Sequence, residues 1–504
     1  MTGAGVRASA VTLAMLAAGQ SGALFAAATA TPEPDATERL AAILRPAADF
    51  TKAEPFEANP AGAATSRQPL NISAFSHPSA NMAFERQLEF KVGDGIFRKL
   101  WISAPSSTQS SDGLGPLFNA RSCQGCHLKD GRGAPPAPGE PAVSMFLRLS
   151  IPPQTDEQRG ALTAHAINVV PEPTYGGQLQ NFAIQGHAPE GRMTIAYEEL
   201  PVKLAGGEVV TLRKPTYGIA DLGYGPLDKE VLLSPRVAQQ MIGLGFLEAI
   251  GEKEILAHAD PDDRDGDGIS GRPNLVWSFA DDKAMLGRFG WKAGEPTIRQ
   301  QTAHAAGGDI GLSSALAPNA SGDCTDRQPV CMAAAHGKDA GEGVELTAQM
   351  LDLVTLYARN LAVPARRTVG DAPVLAGKKL FYDSGCAACH RPKYVTPKRQ
   401  DMPEQSGQLI WPYTDMLLHD MGEGLADNRP EGVASGREWR TAPLWGIGLT
   451  RTVSGHTFLL HDGRARNLLE AILWHGGEAE AAKNRVVVMT PPQRAALLAF
   501  VNSL

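Results

Sequence analysis

The chain has 504 residues, 43% of them hydrophobic and 20% charged, with a formal net charge of -7. That length allows two to four domains, and the composition is that of an ordinary soluble globular protein. The modest negative charge argues against nucleic acid as a partner, while 53 Gly, 37 Pro and only 6% aromatics argue against a bundle of long helices.

The chain opens with features of an export signal. Arg7 supplies a positive start, Ala8 to Leu16 and the small residues to Ala27 an apolar core, and Ala28-Thr29-Ala30 a small-x-small cleavage site. Residues 1–30 are therefore expected to be a signal peptide. The apolar run is short and broken by Gly and Ser, so a permanent membrane helix is the weaker reading. No later stretch is apolar enough to span a bilayer, and no transmembrane anchor is expected after signal removal. Residues 31–68, rich in Ala, Pro and Glu, read as a flexible lead-in with a short helix around Glu38–Leu44.

Phe84 to Trp101 has helical periodicity, with Phe84, Leu88, Val92, Ile96, Phe97 and Leu100 on one side. Beyond an insertion containing Ser103 to Asn119 comes Cys123-Gln-Gly-Cys126-His127. Two thiols two residues apart, followed at once by an imidazole, are the pattern of covalent c-type haem attachment. Each thiol forms a thioether to one vinyl group, and the adjacent histidine becomes the proximal iron ligand. A second copy, Cys386-Ala-Ala-Cys389-His390, argues against chance and against a zinc or disulfide role. Two covalently bound haem c groups are expected, and such attachment outside the bacterial cytoplasm agrees with a periplasmic location. Gly93-x-x-Ile96-Phe97 precedes the first motif and Gly377-x-x-Leu380-Phe381 the second. Both resemble the cytochrome c helix that places Gly at a helix crossing and Phe against the porphyrin edge.

Between the motifs, Met145 to Leu149 is strand-like, and Pro171 to Gln185, with Tyr175 and Gln178, is loop. Met193 to Tyr217 suggests a small β insertion. Ser234 to Ile250 reads as a helix with Ser234 as its cap and Pro235 in its first turn. Asp263, Asp265, Asp267 and Gly268 match the first half of a calcium loop, but Asn274 stands where Glu would close it. A calcium site and a merely solvated acidic turn both remain open. Cys324 and Cys331 are expected to form a local disulfide in an oxidising compartment. Val344 to Leu361 reads as an amphipathic helix opening the second haem domain, and Pro491 to Leu504 as the terminal helix. The expected fold is mainly α: two cytochrome c-like haem domains, residues 69–190 and 344–504. Residues 191–343 form a loop-rich inserted region with a little β.

The runs Leu418-His419-Asp420-Met421, Trp439 to Gly446, His461-Asp462-Gly463-Arg464 and Trp474-His475-Gly476-Gly477 carry a resemblance. From Phe84 to Leu504 the chain resembles the di-haem oxidoreductases often labelled thiol oxidoreductases. That family is related to bacterial di-haem cytochrome c peroxidases and the methylamine-utilisation di-haem enzymes. The resemblance implies a sixth iron ligand for the C-terminal haem beyond the His-Asp-Gly turn. His475 matches best and Met421 is the alternative, while His475 as a helix-end cap stays open. His461 and Arg464 are expected to bond haem propionates or the domain interface, and His419 could do the same. The resemblance also implies an acid/base group at the N-terminal haem. No His lies between His127 and His165, so Met145, Tyr175 and Gln178 are the distal candidates, the last two favoured by their Gly-rich loop, and this departure weakens the peroxidase reading. Trp101, Trp411 and Trp445 are available as an aromatic bridge. The expected function is a peroxidase-like oxidoreductase taking electrons from a small redox protein through the C-terminal haem. A non-enzymatic di-haem electron carrier is the alternative. A thiol oxidoreductase would have only Cys324 and Cys331, whose spacing is unlike a redox Cys-x-x-Cys pair.

Overall fold

Two helix crossings of the same design frame the molecule. A computed structural model describes residues 36–337 and 341–504, so the export signal lies outside the described residues. The chain divides into two units, Met1–Arg45 and Pro46–Leu504. In the first, α1 (Ala36–Leu44) is the described element. In the second, α2 (Phe84–Arg98) crosses α5 (Ala348–Arg359), and α6 (Ala372–Asp383) crosses α8 (Pro491–Ser503). Between α2 and α5 lie α3 (Leu244–Ala249) and α4 (Ile298–Ala305), and α7 (Leu468–Leu473) precedes α8.

Each crossing closes on a glycine. A Cβ on Gly93 would clash with the Leu353 carbonyl oxygen and sit 2.8 Å from Tyr357 Cβ. A Cβ on Gly377 would clash with the Ala496 carbonyl oxygen and sit 2.8 Å from Phe500 Cβ. Four residues after each glycine, one helical turn on and on the same face, Phe97 packs on Tyr357 at 5.2 Å and Phe381 on Phe500 at 5.2 Å. The helix read as opening the second haem domain, α5, therefore lies against the helix of the first motif. The buried face of α2 is Phe90, Gly93 and Phe97; of the expected stripe Phe97 is buried, while Phe84, Leu88 and Val92 are exposed. Helical period alone does not say which side a close glycine crossing will claim.

The mainly-α expectation is wrong. The structure is 29% helical and 18% strand, with seven two-stranded sheets among the described residues. β1 (Met145–Ser150) pairs antiparallel with β4 (Leu232–Val237), and between them stands the hairpin β2 (Arg192–Lys203) and β3 (Val209–Ala220). The later pair β5 (Leu418–Asp420) and β6 (Glu438–Arg440) sets His419 opposite Trp439. The helix expected over Ser234–Ile250 is instead β4 followed by the short α3. Pro235 lies opposite Leu147 in a two-stranded pair, where an edge strand tolerates its missing N–H. Tertiary pairing has overridden a helix-start pattern.

The lead-in reading fails from Pro46 onward. Ala61 and Ala64 are in the core, and Glu57 is 1% exposed. Lys378 of α6 donates to Glu54 and Glu57 at 2.8 Å each, and Arg366 also binds Glu57. These buried ions tie the segment to the second crossing. Cys324 and Cys331 are disulfide-bonded.

Gly93→Ala and Gly377→Ala should each destabilise the protein by roughly 1–3 kcal/mol through overpacking. Gly95→Ala, whose Cβ meets nothing within 4 Å, should be neutral or stabilising by up to ~1 kcal/mol from helix propensity. Denaturant unfolding of the three variants checks this, and equal losses in all three would refute the crossing argument.

Candidate functional site

Ser122 begins the first site. Its side chain accepts the Gly125 N–H at 3.2 Å and caps a single helical turn, Cys123–Cys126. That turn puts His127 at the mouth of the α2–α5 crossing, 6.3 Å from the Phe97 ring. At the second site, Gly385 in the left-handed region starts the turn Cys386–Ala388. There the His390 ring lies 6.4 Å from Phe381. The same order of Gly, Phe, thiol, thiol and imidazole is thus built twice.

The imidazoles share a second feature. His127 Nδ1 donates to the Gln239 carbonyl at 2.7 Å, and His390 Nδ1 donates to the Tyr413 carbonyl at 3.0 Å. Burial pushes both histidines down to about 4, so both are neutral near pH 7. With Nδ1 protonated, Nε2 carries the free lone pair, the arrangement a metal-ligating histidine needs. Tyr413 has φ +53°, a strained value for an aromatic residue, and its carbonyl is the one that holds His390. Burial keeps the thiols protonated: it pushes Cys123 and Cys386 up to about 12, and Cys126 and Cys389 are raised as well.

Both motifs line one cavity of about 1210 Å³, larger than the ~300–1,000 Å³ usual for one small ligand. Its walls carry buried cations. Arg132 donates to the Phe458 and Leu460 carbonyls. Arg440 donates to Gly290 O, Thr441 O and Gln239 Oε1. Burial lowers both guanidinium groups to about 10. Arg429 Nε and His461 Nε2 are buried without a hydrogen-bond partner among the described residues. Such groups call for an anionic occupant. Paired thiols, neutral imidazoles and polar N–H groups left without a partner fit a porphyrin: vinyl attachment points, an iron ligand and partners for its carboxylates. The residues present fit two haems.

His475 follows α7 and lines the cavity. Its Nδ1 donates to the Ala471 carbonyl at 2.7 Å, and burial lowers its pKa. Nε2 is again the free nitrogen, and His475 is near enough to His390 to depress it further. Met421 lines the same cavity. His419 also reaches it but has both nitrogens engaged, with Glu478 at 2.6 Å and Asp415 at 2.8 Å. Burial opposes its charge, yet these two carboxylates hold it protonated, well above its ordinary value.

Tyr175 and Gln178 do not line the cavity. The Tyr175 hydroxyl donates to the Gly225 carbonyl at 2.6 Å, inside the sheet core. Gln178 Nε2 donates to Asp309 Oδ1 at 2.8 Å, and Asp309 is the residue that faces the cavity. Asp309 sits in a π-helical turn, Ala306–Ile310, that continues α4; such turns are frequent at functional sites. Burial raises its pKa, opposed by Arg148 and the Gln178 bond, and it acts electrostatically on Cys123 and Cys126. The only signal in the sequence was Gly307-Gly308-Asp309 after a helix, too common to single out. The tryptophans on the cavity are Trp277, Trp291 and Trp439, not Trp101, Trp411 or Trp445. Trp439 stacks on His461 at 3.7 Å with the rings 11° apart. Arg464 is spent on Asp462 and the Gly424 carbonyl. The carboxylates of Asp263, Asp265 and Asp267 lie within 4.8 Å of one another, all exposed. Asn274 is buried elsewhere, donating to the Lys292 carbonyl.

Residues 57–504 match a family described as "Di-haem oxidoreductase, putative peroxidase". No curated protein matches the chain. Among solved structures, a hydrazine synthase from Kuenenia stuttgartiensis, pressurised with xenon, is similar at 18% identity with a TM-score of 0.23. That match spans 33% of this chain and 58% of the other, too slight a likeness to carry any argument.

Proposed function

The chain belongs to the di-haem oxidoreductase family, and from that premise we propose an exported, peroxidase-like di-haem c-type cytochrome. A small redox protein would deliver electrons at the C-terminal haem, leaving the N-terminal haem as the reactive one. The observation that carries this reading is the doubled donor set on one cavity, capped on one side only. Cys123, Cys126 and His127 would hold one haem. Cys386, Cys389 and His390 would hold the other, with His475 as its second axial ligand and Met421 as the alternative. Bound there, the iron supplies one-electron chemistry and an axial position for substrate.

The chain's own groups divide the labour. The free Nε2 of His475 supports a saturated C-terminal iron suited to electron transfer. At the N-terminal motif His304 lines the cavity, but a carboxylate rather than a carbonyl holds its Nδ1: Glu295, at 2.6 Å, raises its pKa against the effect of burial and favours the charged ring over a neutral one with a free Nε2. Asp309 takes the acid/base role expected of Tyr175 and Gln178. Gln178 clamps Oδ1, and Oδ2 is left to hold or give up a proton, which burial makes easier to retain. Arg132, Arg429 and His461 would receive haem carboxylates. Export and periplasmic location rest on the N-terminal sequence. The exposed triad Asp263, Asp265 and Asp267 would hold a structural calcium.

Low-temperature electron paramagnetic resonance of the haem-loaded protein, before and after one-electron reduction, tests the assignment. A high-spin ferric signal in either state supports the enzyme. Two low-spin signals before reduction and one after it would overturn it in favour of the electron carrier. Asp309→Asn should lower peroxide turnover about 10²–10⁴-fold with haem content and spectrum unchanged; full activity would remove Asp309 from the mechanism. Metal analysis after dialysis should return one calcium per chain, lost in Asp265→Asn.

A further inference from the structure

The two histidine-holding carbonyls are not independent. Gln239, whose carbonyl takes the His127 Nδ1 proton, accepts a hydrogen bond on its side-chain oxygen from Arg440 Nη2 at 3.0 Å. Arg440 Nη1 donates to the Thr441 carbonyl at 3.0 Å, and the Thr414 hydroxyl donates to that same oxygen at 2.6 Å. Thr414 directly follows Tyr413, whose carbonyl takes the His390 proton. One guanidinium thus stands between two supports, five polar contacts joining His127 to His390. The Arg440 backbone is itself fixed, its N–H donating to the Trp291 carbonyl at 2.9 Å at the end of β6.

We infer that Arg440 is a positioning residue shared by the two proximal histidines. It braces Gln239 on one side and the Thr441–Thr414–Tyr413 segment on the other. This rests on the two-haem reading above. Two properties suit it. A guanidinium presents several donors in a rigid fork, so it can serve two directions at once. Its charge is also buried, at 4% exposure; its hydrogen bonds go to carbonyl and amide oxygens, and Asp415 acts on it only through space, without offsetting the effect of burial. A buried cation favours the electron-rich form of nearby groups. It should therefore raise both haem potentials, while its bonds set the orientation of both imidazoles. The strained backbone of Tyr413 agrees with a carbonyl held in place from outside.

The test is an optical and paramagnetic resonance redox titration of the haem-loaded protein. Arg440→Gln should lower both midpoint potentials by about 59 mV or more, tenfold in each one-electron reduction equilibrium. Arg440→Lys keeps the charge but not the fork and should restore part of both shifts. Thr414→Val should move the C-terminal haem alone. A change confined to one haem in Arg440→Gln or in Arg440→Lys overturns the inference, as does no change at all. Should Arg440→Gln fail to load haem, the lysine and valine variants decide by the same criterion. The mass of the denatured wild-type protein counts covalent haems separately. Fewer than two would defeat the haem reading and this inference with it, whereas two haems with unmoved potentials defeat this inference alone.

Discussion

A backbone carbonyl accepting the Nδ1 proton of a buried imidazole is the contact on which the rest of this molecule depends. It decides the tautomer, and the tautomer decides which nitrogen is free to bind iron. Burial alone would only make the histidines neutral. The carbonyls of Gln239, Tyr413 and Ala471 turn neutrality into direction for His127, His390 and His475. Much of the fold serves to place those three oxygens. Tyr413 accepts a left-handed backbone to do so, and Ala471 does it simply by lying four residues before His475 at the end of α7.

Around that contact the chain has built the same frame twice from different lengths of sequence. In the C-terminal frame, α6, the haem motif and α8 lie within one stretch of chain. In the N-terminal frame, α5 arrives more than two hundred residues after Cys126, with the β insertion, α3 and α4 in between. The long intervening segment brings the N-terminal side of the cavity the π-helical turn with Asp309, and Gln178 and Arg148 behind it. The asymmetry in chemistry follows from the asymmetry in connection. In the proposed reading, His390 and His475 would together hold a haem suited to electron storage, and Asp309 would supply a buried carboxylic acid for proton-coupled chemistry at the other.

The cavity holds polar N–H groups that its own side chains do not fully satisfy. Arg132 and Arg440 donate to carbonyl oxygens, and although Arg429 pairs with Glu431 at 2.7 Å, its Nε and His461 Nε2 have no hydrogen-bond partner among the described residues. Without an anionic occupant these groups oppose folding. With one they become its binding site, so cofactor capture and stability are expected to be coupled.

The sequence by itself determined what is local. The two Cys-x-x-Cys-His motifs, the Gly and Phe that precede each, the Cys324–Cys331 pair and the terminal helix all depend on residues a few positions apart, and each is legible in that window. His475 was legible only through a family resemblance. What the tertiary structure alone decided is non-local. Strand pairing turned Ser234–Val237 from a helix start into β4, and a glycine crossing chose the buried face of α2. The packing of β1 and its neighbours buried Tyr175 away from the cavity and brought Asp309 there instead. Arg440 joins residues separated by 201 positions from Gln239, and no periodicity or motif records such a contact. Spacing encodes which groups can share one turn or one ligand. Only the closed chain decides which groups share a cavity.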